Sequence, residues 1–439
     1  MAELLRLPCI YSVNIFTNVK KYDNIILDNI FLKEREVLMK KDKRLVGILA
    51  LAAATVVVLG ASIAFDKQSD DLTAVTENAN GVVSAEQWAK QYPDVVASFN
   101  ANEDNKLVFD HVEEYPMIAT VYEGMAFSTY YNAARAHTYS LEDVQSTGRP
   151  HALANCLTCK SADYTAVVNK NGVSAYKEEF DAVYSTLEEG ISCYNCHGND
   201  VTKLEVTHQY LTDAVGTNSG ISTSTLTCAQ CHVEYYFDKE TKATTLPYDS
   251  HAAANPDDIL AYFNEMGFAD YTNPRTGTQQ IKVQHPEFET YTGAGSVHAS
   301  QFSCADCHMG EVKNADGTSY VSHNWVSPLN NKALVENNCA GCHQDLEGMV
   351  KGIQEEAEAR VYAIGYELEE LTNKLADAVD SGKYTDEELN AIRSLNRDAQ
   401  FYWDFVFVEN SEGAHNSKLT HACLDKSENL IEQANALFK

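Results

Sequence analysis

Ten of the twelve cysteines fall into five C-x-x-C pairs, and that repetition limits what this chain can become more than any other feature. A disulfide framework rarely repeats one tight spacing so often, whereas a cofactor held in several copies does. Four pairs continue into histidine: Cys193-Tyr-Asn-Cys196-His197, Cys228-Ala-Gln-Cys231-His232, Cys304-Ala-Asp-Cys307-His308 and Cys339-Ala-Gly-Cys342-His343. In C-x-x-C-H the two thiols form thioethers with haem vinyl groups, and the adjacent imidazole lies under the iron. Structural zinc is the competing use of such pairs, but it closes one site with four ligands, usually from two neighbouring pairs. Here every pair carries its own histidine and the gaps are long and uneven. Haem is therefore the reading.

The fifth pair, Cys156-Leu-Thr-Cys159, is followed by Lys160. An amine can ligate iron only when neutral, so burial and the metal must depress its pKa. The plain alternative is a pair that binds nothing, or a haem ligated from elsewhere. A different proximal ligand on one of five haems implies division of labour: four conduct electrons and the fifth does chemistry at an open position. The chain has 14 histidines, of which four follow cysteine pairs. Each conducting haem needs a second axial ligand, and His137, His298, His323 and His415 are candidates, leaving His285 and five others. Spacing alone does not pair them with irons.

The formal net charge is −30. Phosphate binding needs a basic face, so a nucleic-acid partner is excluded; the acidity suits solubility and a basic redox partner. Met39-Lys40-Lys41-Asp42-Lys43-Arg44 is a basic head before 21 uncharged residues, Leu45 to Phe65, after which polar sequence resumes. That pattern is a signal peptide or a membrane anchor, with Ser62-Ile63-Ala64 acceptable for cleavage. Either way the cysteine-bearing part is exported, to the periplasm or the outer face of the cytoplasmic membrane. Residues 1–38 fit neither scheme. They are expected to be a mis-assigned leader with translation starting at Met39, which would also remove Cys9.

Residues 66–100 read as a linker leading into the fold, and 101–439 as one mainly α, pentahaem catalytic domain with little β structure. Residues 101–345 show little sustained apolar periodicity, as expected where flat haems fill the interior. After Cys342 the texture changes. Leu346, Met349 or Val350, Ile353, Ala357, Val361, Ile364, Leu368, Leu371, Leu375 and Ala378 recur at steps of three and four, predicting a long amphipathic helix. Ser381-Gly382 ends it, and Thr385-x-x-Glu388 is a capping-box start for a helix reaching about Phe407, so long helices span 345–408. A last helix is predicted over roughly 426–438. The apolar stripe could pack within the subunit or against a second copy.

The Lys160 motif followed by four C-x-x-C-H motifs resembles cytochrome c nitrite reductase, the ammonia-forming pentahaem enzyme, over roughly residues 110–420. Cys228-Ala-Gln-Cys231-His232-Val-Glu234-Tyr235-Tyr236-Phe237, Lys282-Val-Gln284-His285-Pro286-Glu287 and Glu409-Asn-Ser-Glu-Gly-Ala-His415-Asn look like three further segments of that family. The resemblance implies that Lys160 is the proximal ligand of a catalytic haem, with Tyr235, His285 and one arginine on the distal side. Arg149 is assigned as that arginine and Arg135 is the runner-up. It makes His137, His323, His298 and His415 the distal ligands of the haems whose proximal residues are His232, His197, His343 and His308. It also implies one calcium ion held by Glu234, Gln284 and the Tyr235 and Lys282 carbonyls, oxygen donors that suit Ca²⁺. The implied reaction is six-electron reduction of nitrite to ammonium. The implied partners are a membrane quinol dehydrogenase of multihaem type as electron donor and a second copy, docked through the long helices. Two rivals stand beside this reading: a multihaem reductase acting on hydroxylamine or sulfite, and a cytochrome that only transfers electrons.

Overall fold

Short helices and turns build the described residues that precede 346, since apolar residues there recur too irregularly to sustain longer ones. The computed structural model describes residues 74–439 apart from 217 and 218, so the 1–38 leader and the 39–65 segment lie outside the described residues. The helices of this part that bear on function are α1 (Ala162–Asn171), α2 (Cys193–His197), α3 (Thr223–Ala229), α4 (Pro256–Met266), α5 (Glu287–Thr292) and α6 (Cys304–His308). Among the described residues the strands form three small antiparallel hairpins: β1 (Tyr236–Phe237) with β2 (Thr244–Thr245), β3 (Tyr271–Thr272) with β4 (Gln279–Gln280), and β5 (Glu311–Lys313) with β6 (Ser319–Val321). The C-terminal third is α7 (Leu346–Ser381), α8 (Asp386–Phe407) and α9 (Ser417–Asn435). The chain is thus mainly α with little β.

The described part of the 66–100 linker is not loose. Val82, Val83, Trp88 and Val96 are buried. The Val83 N–H donates to Asn199 Oδ1 at 3.0 Å and Asn78 Nδ2 to Asp163 Oδ1 at 2.7 Å, fastening this segment over α1 and α2.

The cysteine pairs form tight turns stabilised by their own sequence. Ser192 and Asn195 make a reciprocal capping box around α2, and Ser303 and Asp306 do the same around α6. The second variable residue of these two motifs therefore caps the turn that presents the histidine. The His232 N–H reaches the Cys228 carbonyl at 3.0 Å and the His343 N–H that of Cys339 at 2.9 Å. One helical turn thus sets two thiols and an imidazole on one side, at i, i+3 and i+4.

α7 begins at Asp345, whose side chain accepts from the Gly348 N–H, and ends at Gly382 with φ 62°, a left-handed conformation glycine adopts freely. α8 starts at the predicted box, Thr385 with Glu388. The last helix departs from expectation: it starts at Ser417 rather than about 426, because Asn416 accepts from the Leu419 N–H, and it ends at Asn435. The apolar stripe from Ala357 to Ala378 is buried against α8 and α9 within the subunit, together with Trp403, Phe405, Leu424 and Ile431. Each fully buried large side chain contributes about 1.5–3 kcal/mol. Gly365 lets α7 approach closely, since a Cβ there would meet Met117 Cγ at 3.0 Å and Trp403 Cζ2 at 3.2 Å. Cys423, which no motif explains, is buried in α9.

The polar side of α8 latches onto the segment carrying Lys282 to His285. Gln280 Nε2 donates to Asn396 Oδ1 at 2.9 Å and Gln400 Nε2 to Tyr271 Oη at 2.9 Å. Lys282 Nζ lies 3.0 Å from Asp404 Oδ1, and the Val283 N–H donates to Asp404 Oδ2 at 2.9 Å. Tyr122 Oη also donates to Asp404. Lys282 is 2% exposed and Asp404 0%, so neither charge has water as an alternative partner. Among the described residues no helix is long and apolar enough to cross a membrane. Removing one member of such a pair strands the other charge, at a cost of about 3–5 kcal/mol. Asp404→Ala is expected to lower unfolding stability by that amount in denaturant melts of the full chain; an unchanged midpoint would show that the pair carries no net stabilisation.

Candidate functional site

The turn bearing Lys160 is held from several sides. The Lys160 N–H donates to the Leu157 carbonyl at 3.0 Å, and Ser140 Oγ donates to the Lys160 carbonyl at 2.8 Å. Thr244 Oγ1 on β2 donates to Thr158 Oγ1 at 3.2 Å, joining the turn to the hairpin that begins beside Tyr235. Leu157, Tyr164, Tyr176 and Phe180 form a small apolar cluster beneath it. Lys160 lies within electrostatic reach of Cys156, Cys159, Cys231 and His137.

Arg149 and Arg135, the two candidate arginines, are treated very differently. Arg135 forms a bidentate pair with Asp143, pairs with Glu142 at 2.9 Å, and lies over the Tyr139 ring. Its charge is spent on neighbouring carboxylates. Arg149 has no carboxylate partner among the described residues; its guanidinium lies 4.1 Å from the Phe127 ring centre, and Nε donates to Thr147 Oγ1 at 3.2 Å. Burial lowers its pKa, while Tyr131, Tyr235 and Cys156 act in the opposite direction. Arg149, Tyr235 and the Cys156–Lys160 turn therefore share one electrostatic neighbourhood. The Tyr235 hydroxyl is held well above its ordinary pKa, first by burial and then by the nearby cysteines and Glu234. It remains a proton donor throughout the physiological range.

His285 is half-buried, and its Nδ1 has no hydrogen-bond partner. Its ring centre stands 6.2 Å from that of His232. Glu287 lies between the two imidazoles, with Oε1 3.9 Å from His285 Nδ1 and Oε2 3.7 Å from His232 Nδ1. Burial works against this carboxylate, yet the two histidines hold its pKa well below the ordinary value.

The other singled-out histidines form four close pairs. Ring centres are 5.8 Å apart for His137 and His232, 6.4 Å for His197 and His323, 6.0 Å for His298 and His343, and 6.0 Å for His308 and His415. Two imidazoles that each reach one metal at about 2 Å would stand with centres about 6 Å apart. The Nε2 atoms of His137 and His232 face each other at 3.5 Å. Four rings use Nδ1 for an outer partner: His197 with the Lys203 carbonyl, His308 with that of Val326, His323 with that of Val321, and His415 with Glu409. Outer hydrogen bonds of this kind fix the tautomer that leaves Nε2 for a metal. The donor set therefore fits axial ligation, and none of the motif cysteines is tied up in a disulfide among the described residues.

Glu234 is 0% exposed, and its Oε1 has no hydrogen-bond partner, while Oε2 accepts from the Gln284 N–H at 2.6 Å. Burial drives its pKa well above the carboxylate range, and Glu289 and Asp270 add to this. An orphaned, fully buried carboxylate oxygen is chemistry that fits a hard cation. Gln284 and Lys282 are adjacent, with Gln284 Nε2 donating to the Lys282 carbonyl at 2.8 Å. Among the described residues no cluster of three or more His, Cys, Asp or Glu forms a metal site, so a cation here would depend on carbonyl and amide oxygens. Two buried acids beside this place escaped the sequence reading. Glu289 accepts from the Glu234 N–H at 3.0 Å and from Tyr248 Oη at 2.7 Å, and burial pushes it up to about 7. Asp404 anchors Lys282 from 122 residues away. No local pattern marks either.

A family model for cytochrome c552 matches residues 84–439. A cytochrome c-552 from Aliarcobacter butzleri (strain RM4018) is 30% identical over 409 residues, 86% of this chain and 81% of that protein. A solved cytochrome c nitrite reductase from Desulfovibrio desulfuricans ATCC 27774 shares the fold with a TM-score of 0.73, at 24% identity, over 82% of this chain and 87% of that one.

Outer carboxylates that orient a ligating imidazole typically matter about 10–100-fold for metal affinity or activity. Should a haem be joined at Cys228 and Cys231 with His232 on its iron, Glu287→Gln is expected to shift the electron-paramagnetic signal of that haem and to spare any haem joined at Cys193, Cys304 or Cys339. An unaltered signal would show that Glu287 does not orient His232.

Proposed function

This chain belongs to the cytochrome c552 family, and from that premise we propose that it is an ammonia-forming nitrite reductase. It takes six electrons through four bis-histidine haems to a fifth haem ligated by Lys160. The observation that carries the proposal is the contrast between the two arginines: Arg149 is kept free of carboxylates beside Tyr235 and the lysine motif, whereas Arg135 is neutralised. A chain that only relayed electrons would have no use for an uncommitted, half-buried cation next to its one unusual haem motif.

Haem c, which the five cysteine pairs would hold, would supply an iron able to bind the substrate and to accept electrons singly. The protein supplies the rest. Arg149 and His285 hydrogen-bond the two nitrite oxygens and draw off the charge that develops as the N–O bonds weaken. Tyr235, whose hydroxyl stays protonated, and His285 pass protons to the departing oxygens. The net charge of −30 repels an anion at long range. Arg149 and His285 therefore act over a few ångströms, within one screening length of about 8 Å at physiological salt. His137, His323, His298 and His415 complete the axial sets of the four conducting haems, with His232, His197, His343 and His308 in turn.

The Desulfovibrio enzyme carries two calcium sites. In this chain Glu234, Gln284 and the carbonyls of Tyr235 and Lys282 are proposed to hold one Ca²⁺, whose charge would quiet the orphaned Glu234 oxygen. We place the protein in the periplasm or on the outer face of the cytoplasmic membrane, fed by a membrane quinol dehydrogenase of multihaem type. A homodimer would use the outer side of α7, where Met349 and Tyr366 are exposed, since its inner stripe is already covered.

With a reduced viologen dye, the purified protein is expected to convert nitrite to stoichiometric ammonium. Arg149→Ala is expected to cut kcat by about 10²–10³-fold, the usual cost of losing one preorganised donor, and Arg135→Ala to leave it within twofold. Turnover of hydroxylamine or sulfite without nitrite, or no turnover at all, would favour a rival reading. Thermal melts with calcium at a hundredfold excess over its Kd are expected to gain about 2.7 kcal/mol over chelator-treated protein. Glu234→Gln is expected to abolish that gain; its survival would move the cation elsewhere.

A further inference from the structure

The second variable residue of the C-x-x-C pair is Thr158, Asn195 and Gln230 in the first three motifs, and all three are buried in one polar network. In the other two motifs it is Asp306, engaged with its own Ser303, and Gly341, which has no side chain.

Gln230 is 1% exposed and uses both ends of its amide. Oε1 receives the Thr207 N–H at 3.0 Å and the His208 N–H at 3.2 Å, while Nε2 donates to the Asn195 carbonyl. Turning the amide over would set donor against donor, so its orientation is fixed. The backbone held in this way presents the His208 ring, whose Nε2 donates to the Thr158 carbonyl at 3.0 Å. Gln230 thus reaches the Cys193 turn directly and the Lys160 turn through residue 208. A second path closes the triangle: Asn195 Nδ2 donates to Thr165 Oγ1 at 3.2 Å, and Thr165 Oγ1 to the Ser161 carbonyl at 2.9 Å, next to Lys160.

Three turns bound pairwise in this way cannot slide past one another without stranding buried polar groups, and each such group costs free energy. The consequence is visible at the thiols, since Cys159 and Cys231 lie within hydrogen-bond reach of each other. A network that served the fold alone could use any loop residue. This one uses positions inside three cysteine pairs, beside the sulfurs that would carry haem.

We propose that Gln230 is a positioning residue for electron transfer, which fixes the separation of the haems joined at Cys156–Cys159, Cys193–Cys196 and Cys228–Cys231. This rests on the reading above that these pairs carry haem. Electron transfer between haems slows steeply with distance, so a side chain that holds three haem-bearing turns together sets the rate at which they share electrons. Outer residues of this kind act by locking the groups that do the chemistry.

The test uses the haem-loaded full chain. Gln230→Met keeps the length of the side chain and removes both ends of the amide. Haem content and the low-spin and high-spin signals are expected to stay as they are, because no iron ligand is touched. Electron transfer among the three haems, followed after flash reduction, is expected to slow severalfold, and kcat to fall with KM unchanged. Intact haems with unslowed transfer overturn the proposal. Hydrogen–deuterium exchange of the unsubstituted protein needs no variant. The Thr207 and His208 amides are expected to exchange only through global unfolding; fast exchange overturns the proposal, since a network that opens freely sets no distance. Transfer between the haems at Cys193–Cys196 and Cys228–Cys231 involves neither Lys160 nor Arg149. Slowed transfer in the variant, with no nitrite turnover by the unsubstituted protein, would therefore uphold Gln230 and sink the nitrite reading alone.

Discussion

One turn of helix, two thiols and a ligand three and four residues on make up the unit from which this protein is built. The turn must be stiff, because the ring or amine at its end has to meet a partner arriving from a distant part of the chain. In α2 and α6 the stiffness comes from the motif's own variable residue, Asn195 or Asp306, bonding back to the preceding serine. In the Lys160 turn it is imported, through Ser140, Thr244 and His208. Two of the rings arriving from elsewhere in the chain are also fixed, His323 by the Val321 carbonyl and His415 by Glu409 on their outer nitrogens. Ring pairs with centres about 6 Å apart follow from turns rigid on both sides, a spacing that would suit a metal about 2 Å from one nitrogen of each ring.

The C-terminal helices supply the frame. α7, α8 and α9 bury an apolar seam that would be stable in many proteins, but the polar face of α8 gives it a particular use. Asn396, Gln400 and Asp404 reach the strand and loop that carry Lys282, Gln284 and His285. A buried ion pair is weak evidence for stability in itself, since desolvation offsets much of the attraction. Its value here is registry: Asp404 can satisfy Lys282, Val283 and Tyr122 only in one position of the loop. The loop in turn sets Glu287 between His232 and His285.

Much of this was legible in the amino-acid sequence, for identifiable reasons. The five cysteine pairs and their following residues are contiguous, so no knowledge of the fold was needed to see them. The stripe from Ala357 to Ala378 kept a helical period, and the Thr385–Glu388 box marks a helix start by local chemistry alone. The last helix was placed too late because its first two turns, Ser417 to Leu424, mix polar residues with a weak period and begin at an inconspicuous Asn416. The distal histidines could be nominated by count but paired only through the family resemblance. Which of Arg149 and Arg135 stays free is decided by side chains at Asp143 and Glu142, a matter of packing that spacing does not encode. Asp404, Glu289 and His208 were invisible, since each acts on partners tens to more than a hundred residues away.

The proposed chemistry needs one iron that is bound differently from the other four, with an amine on one side and room for nitrite on the other. Electron paramagnetic resonance of the oxidised, purified protein addresses this directly. Four low-spin signals of bis-imidazole type are expected, with one high-spin centre that changes on adding nitrite. Five low-spin centres, none responding to nitrite, would contradict it.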